Sequence, residues 1–322
     1  MSSHAVHGVA SARSYDRAVV AGRTALTHLD GRRRTLQVAL GVIWLVDAAL
    51  QFQPFMFTRS FVSGVLAPAA SGNPWFFYRP MTWADHFMIH DIAWWNTLYA
   101  VVQLAIAVGL FWRPTVRWAL GTSIVWSLAV WWFAEGFGGL FSGASPLSGE
   151  PGAVLLYALI AVLVWPTDRE EAPSVAESAP WGRRGAIAAW MILWVNVALY
   201  LLTGANRAPQ AMHDLVASAA PGEPGWIQSM DRGLETVLAG RGLAFSVTLA
   251  LLAVIIALSV LAPSLVRPAL IAAVVLAVFV WMAEDFGGIL TSQGTDVNSG
   301  PLFALLAWTF WPLSQRSRSV RR

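Results

Sequence analysis

The chain contains no cysteine and no lysine. The first absence removes disulfides, thiolate nucleophiles, Cys-ligated metals and thiol redox relays. The second removes Schiff-base chemistry, and with it retinal pigments, because that bond needs a lysine amine. Any redox chemistry therefore needs a bound metal, haem or quinone. Charge of either sign is scarce: 12% of residues are charged, against about 25% in soluble domains. All 21 basic residues are arginine and the net charge is only +3, which does not point to nucleic acid.

What fills the chain instead is apolar: 57% of its 322 residues are hydrophobic. Long apolar runs with so little charge predict an all-α integral membrane protein with the lipid bilayer as its first partner. Eight transmembrane helices are expected, near 36–53, 92–112, 117–134, 151–165, 185–203, 242–262, 267–283 and 300–313. The fourth and eighth are short for a bilayer that needs about 20 residues per helix, and are expected to extend backward into Gly-rich sequence or to sit where the bilayer is thin. Only Arg59, Arg79, Arg207, Arg232 and Arg241 fall on one side of this arrangement, so both termini are expected in the cytoplasm of a cell-membrane, multi-pass protein. Residues 1–35 are polar and Arg-dotted, with no secretory leader pattern, and read as a cytoplasmic N-terminal tail; 314–322 read as a basic cytoplasmic tail.

The sequence also repeats itself. "WFAEGFGG" (132–139) and "WMAEDFGG" (281–288) agree at six of eight positions. At an offset near 149 residues "VDAAL" (46–50) answers "VNVAL" (195–199), and "RWAL" (117–120) answers "RPAL" (267–270). "LLYALIAVLVWP" (155–166) answers "LFALLAWTFWP" (302–312). The expected organisation is a first four-helix repeat over 36–166, a cytoplasmic linker over 167–184 and a second four-helix repeat over 185–313. Four spans per repeat make the two parallel, related by an axis along the membrane normal. Four spans with a long outer loop after the first and a short Gly-rich one before the last resemble the DoxX/DoxD-like four-helix membrane proteins, here fused in tandem. The resemblance implies a place beside membrane oxidoreductases that feed quinones.

Three groups of residues stand out. Asp47 lies within the first span with Gln51 one turn on, and Asn196 is expected to take the place of Asp47 in the second repeat. These are either a proton- or ligand-binding set or interhelical hydrogen bonds that lock the bundle. Glu135 and Glu284 close the third and seventh spans, before glycine pairs that permit positive φ. A carboxylate at a helix C-terminus meets the unfavourable end of the dipole, so a partner is expected, among Arg59, Arg79, His86 and His90 in the first repeat. The third group occurs once, in "ADHFMIHD" (84–91). Thr82 and Asp85 form a capping-box pattern that predicts a helix from near Trp83, continuing into the second span. On a helix His86 and His90 share a face, as in two-histidine metal sites. If extended, His86, Met88 and His90 share one, a set suited to copper. The competing reading is ordinary interfacial side chains.

These features support an outward-facing metal or quinone site of His86, His90 and Glu135, with copper, haem or quinone as the group held. A transporter or channel lined by Asp47, Gln51, Asn96 and Gln103 is the alternative, though no pair of broken helices is evident in the sequence. A further alternative is an assembly subunit that holds a membrane oxidoreductase or another extracytoplasmic partner through loops 54–91 and 204–241.

Overall fold

The computed structural model describes residues 28–141, 151–169, 172–219, 223–283 and 285–313, and among these it is helical without a strand. All eight apolar runs are helical. Apart from short helical segments within 54–70 and short turns at 113–115, 176–178 and 285–291, the helices in chain order are α1 (28–50), α2 (Trp75–His90), α3 (Ile92–Phe111), α4 (Val116–Phe133), α5 (Ala153–Leu163), α6 (Gly182–Leu201), α7 (Ala211–Ala219), α8 (Gly225–Leu238), α9 (Gly242–Ser259), α10 (Val266–Ala283) and α11 (Ser299–Phe310). Four of them, α3, α6, α9 and α10, are long and apolar enough to cross a membrane. Large apolar side chains point out of the bundle, among them Leu251, Ile255, Val125 and Val275. Lipid tolerates that surface, and water does not.

The helices associate in two groups. α1, α3, α4 and α5 pack together, joined by Trp44 Nε1 donating to Ser123 Oγ at 3.0 Å and by Gln37 Nε2 donating to Val164 O at 2.9 Å. α6, α9, α10 and α11 form the second group, where Trp190 Nε1 donates to Ile256 O at 3.1 Å. The groups meet where α5 packs on α11. Close approach rests on small residues: a Cβ on Gly300 of α11 would stand 2.2 Å from Trp281 Cβ of α10.

Several expectations are corrected. α1 is already formed at residue 28, within the segment read as the N-terminal tail, and Asp47 sits in its last turn rather than mid-span. Residues 172–179, in the segment expected to link the repeats, pack against the helices. Val175, Ala176 and Ala179 are fully buried, and Arg33 of α1 reaches Ser178 Oγ at 2.9 Å. α2 begins at Trp75 and stops at Asp91, whose φ of −145° and ψ of 54° break it from α3. Thr82 is therefore no cap: it lies inside α2 and donates to Tyr78 O at 3.1 Å.

α5 and α11 do not extend backward into a full span. At 11 and 12 residues they are about 17 Å long, roughly half the apolar core of a bilayer. α5 starts after Gly152, at φ 102°, and α11 starts where the Asn298 side chain accepts from Ser299 N. Ahead of α11 the chain runs as irregular backbone through 292–298. Such backbone survives at membrane depth only when protein satisfies its polar groups.

Candidate functional site

The polar groups that satisfy this backbone come from the end of α1. Asp47 is buried, with 1% of its surface exposed. One carboxylate oxygen accepts from Val297 N at 3.0 Å and the other from the Tyr157 hydroxyl of α5. Gln51 Nε2 donates to Thr295 O at 2.9 Å and Gln53 Nε2 to Gly294 O at 3.1 Å. Asn96 Nδ2 of α3 donates to Gln51 O at 2.7 Å. One turn below Asp47, the Trp44 ring lies 4.3 Å from the Tyr157 ring. Asp47 thus ties together α1, α5 and the approach to α11.

Two further carboxylates stand nearby. Asp296 accepts from Thr295 Oγ1 at 2.9 Å and from Asn298 N at 2.6 Å, and it is close enough to act electrostatically on Asp47 and Tyr157. Glu135 acts on Tyr157 as well. Among the described residues no ion pair joins it to Arg59, Arg79, His86 or His90. Glu135 Oε1 accepts from Val154 N, in the first turn of α5, at 3.3 Å. The carboxylate leaves the unfavourable end of α4 for the favourable end of α5. The glycine motif makes this reversal. Gly136, Phe137, Gly138 and Gly139 all have φ between 55° and 67°, and Trp131 Nε1 donates to Pro151 O at 2.8 Å across the turn. Phe286, Gly287 and Gly288 are left-handed too, at 56°, 73° and 66°, and Trp281 Nε1 donates to Val297 O at 2.9 Å. Glu284 lies outside the described residues.

Inside the first helix group the polar surface continues. Asn96 and Gln103 are buried on α3, and Ser123 and Ser127 on α4. The Tyr99 and Trp126 rings, 5.4 Å apart, show that these two faces meet. Asn96 Oδ1, Gln103 Oε1 and Ser127 Oγ find no hydrogen-bond partner among the described residues. Buried amides and hydroxyls in that condition call for water or a ligand. Asn196 is less deeply buried than Asp47, although its Oδ1 is buried and finds no partner among the described residues. It is half-buried, while its neighbour Val197 is buried at 6% exposure.

The outer histidines sit as the helical reading of the sequence places them, and not as the extended one does. α2 is helical, so Met88 turns away and packs with Met56, Phe61 and Val62. His86 and His90 are exposed with ring centroids 4.6 Å apart, and His90 Nδ1 is engaged with His86 O at 2.6 Å. Glu135 does not join them, and no cluster of three or more His, Cys, Asp or Glu suited to a metal exists among the described residues.

Sequence reasoning passed over two buried acids. Asp85 lies on the inner face of α2 with Met81 and Met88, and Oδ2 has no partner among the described residues. Burial pushes its carboxyl up to about 6, and it acts on the neighbouring Tyr99. Asp231 lies on the inner face of α8 with Ile227 and Leu238, fully buried, and neither oxygen has a partner among the described residues. The signal was present: each acid sits at helical spacing within an apolar stripe, where a solvated acid does not belong. Comparison with protein-family models, with curated proteins and with solved structures finds no match.

Proposed function

We propose that this chain is a multi-pass cell-membrane protein of eight spans, built as two parallel four-helix units with cytoplasmic termini, that couples proton binding at Asp47 to movement of a small solute. The observation that carries the reading is the pair of half-length helices, α5 and α11, in matching places in the two groups, with their N-terminal ends at one cluster of carboxylates. Short helices at corresponding positions of two halves point to the substrate site of a transporter. The sequence showed these two spans as short but showed no pair of broken helices, which was its objection to transport.

The repeat is supported by burial. Positions 150 residues apart are buried alike: Trp44 and Trp194, Asp47 and Val197, Asn96 and Ser246, Gln103 and Ala253, Ser123 and Ala273, Ser127 and Ala277. In all but the tryptophans the first member is the more polar. The first unit carries the polar interior, and the second holds it in place. The mechanism follows from the bonds of Asp47. As a carboxylate it accepts from Val297 N and Tyr157 together, and latches the approach to α11 onto α1 and α5. Protonation turns one acceptor oxygen into a donor and weakens that latch. The seam between the units then loosens, and loss of the proton closes it again.

A test is a pH jump on proteoliposomes, read as transient charge movement on a supported membrane. Wild-type protein gives a current, and Asp47→Asn, which keeps shape and hydrogen-bonding capacity but cannot titrate, lowers it at least about tenfold. An undiminished current in Asp47→Asn sinks the proposal. A panel of small ammonium ions and neutral solutes under the same readout then finds the cargo.

One observation favours the redox-linked reading that the DoxX-like resemblance implies. Buried Asp85 acts on Tyr99, whose ring lies 5.4 Å from Trp126, and this acid-and-aromatic set lies at the inner face of the helix that carries the exposed His86 and His90. A quinone head needs aromatic walls and a nearby proton donor. Quinone that co-purifies with wild-type protein and is lost in Asp85→Leu supports that role, and quinone-free protein rejects it.

A further inference from the structure

The two helix groups leave a groove between them on the outside of the bundle. It is open along one side and has a volume of about 580 Å³, within the range of small-molecule sites. Ala39, Val42 and Ile43 of α1 form one wall, and Val274 of α10 with Ala304 and Trp308 of α11 form the other. Every lining residue is apolar, so the groove takes hydrocarbon. Its ends differ. α1 and α10 start on the same side of the molecule, where α11 finishes. Arg32 stands seven residues before Ala39 on α1, and Arg267 seven residues before Val274 on α10. Two helical turns return a residue to the same face, about 10 Å along the axis. Both helix faces that line the groove therefore lead to an arginine at the same end. Arg32 also touches the groove's edge, donating through one terminal nitrogen to Trp311 O at 2.9 Å. Its other N–H groups, and the exposed guanidinium of Arg267, meet no acceptor among the described residues.

We infer that this groove is a binding site for an anionic phospholipid of the cytoplasmic leaflet. One acyl chain lies between α1, α10 and α11, and the phosphate is held between Arg32 and Arg267. The inference rests on the membrane orientation proposed above. The arginines decide the headgroup, because each basic residue at a membrane surface favours anionic lipid about fivefold. The groove decides that the lipid is bound at one place rather than drawn to a diffuse positive surface. Its position at the seam between the units gives the lipid a structural consequence: it adds to the contacts that α1 and α5 make with α11 and its approach.

The experiment is native mass spectrometry of the full chain in detergent with equimolar dioleoyl-phosphatidylglycerol and dioleoyl-phosphatidylcholine. Wild-type protein is expected to retain phosphatidylglycerol over phosphatidylcholine by at least about fivefold. Arg32→Gln with Arg267→Gln removes the preference. Val42→Trp, from the exposed wall, and Ala304→Trp, from the opposite one, fill the groove and remove the bound lipid. Equal retention of the two lipids by wild-type protein overturns the inference. So does phosphatidylglycerol binding that survives either groove-filling change, or displacement by Val42→Trp of a quinone or a second copy of the chain instead of a phospholipid. The arginine arm reads even where a tryptophan perturbs folding, because those side chains lie outside the apolar core. Fractionation separates this failure from the larger one. A chain absent from the membrane fraction refutes the membrane reading, whereas a membrane-extracted chain indifferent to headgroup refutes only the lipid site.

Discussion

At the scale of single residues, the buried acids govern how the protein responds to pH. Asp85 has its carboxyl raised to about 6 by burial, from an ordinary 3.8. The sign follows from proton counts. Between these values the folded chain holds a proton at Asp85 that the unfolded chain has released, so stability falls as pH rises from about 4 to about 6 and is level above. Asp85→Asn cannot ionise and escapes this loss. Its thermal midpoint is expected to lie increasingly above that of wild type across that interval, with the gap constant at higher pH. A gap that does not change with pH assigns the carboxyl to solvent. Asp47 was legible as a buried acid from its setting in an apolar run. Its partners were not, because Tyr157 and Val297 are 110 and 250 residues away in sequence.

At the scale of elements, the left-handed turn after α4 explains why the glycine motif is written twice. A Cβ on Gly138, at φ 58°, would stand 2.0 Å from Pro151 O. Gly138→Ala therefore meets both backbone strain and a carbonyl, and is expected to cost at least about 1–3 kcal/mol. A large fall in thermal midpoint checks this. Gly233 of α8 is the contrasting position, with an ordinary φ and open space around it. Gly233→Ala should stabilise, by up to about 1 kcal/mol, through helix propensity alone. The turn was readable from the glycines. The place of Glu135 at the start of α5 was not, since the chain must reverse before the carboxylate meets Val154 N. The helical state of α2 also decided between two sequence readings: it turned Met88 inward and left His86 and His90 outside.

At the scale of the whole molecule, the absence of cysteine makes the proposed topology directly testable. Single cysteines can be introduced into an otherwise unreactive chain and probed from outside with a membrane-impermeant maleimide. Arg59→Cys and Arg232→Cys are expected to label in intact cells, while Arg113→Cys and Arg183→Cys label only after permeabilisation. The reverse pattern inverts the orientation, and uniform labelling removes the membrane from the account.

Helix position, helix reversal and lipid-facing composition were determined by the sequence itself, because they depend on neighbours within a few residues: apolar runs, glycines at positive φ, prolines beyond the ends of α5 and α11. Tertiary structure alone decided which polar groups meet. A helix turns by about 100° per residue, so a matching letter one position out of register points elsewhere. That is why Val197, one position beyond the letter match of Asn196 with Asp47, is the more deeply buried of the two. It is also why the half-length helices gathered Asp47, Glu135 and Asp296 at one seam, where packing rather than local pattern sets the neighbours.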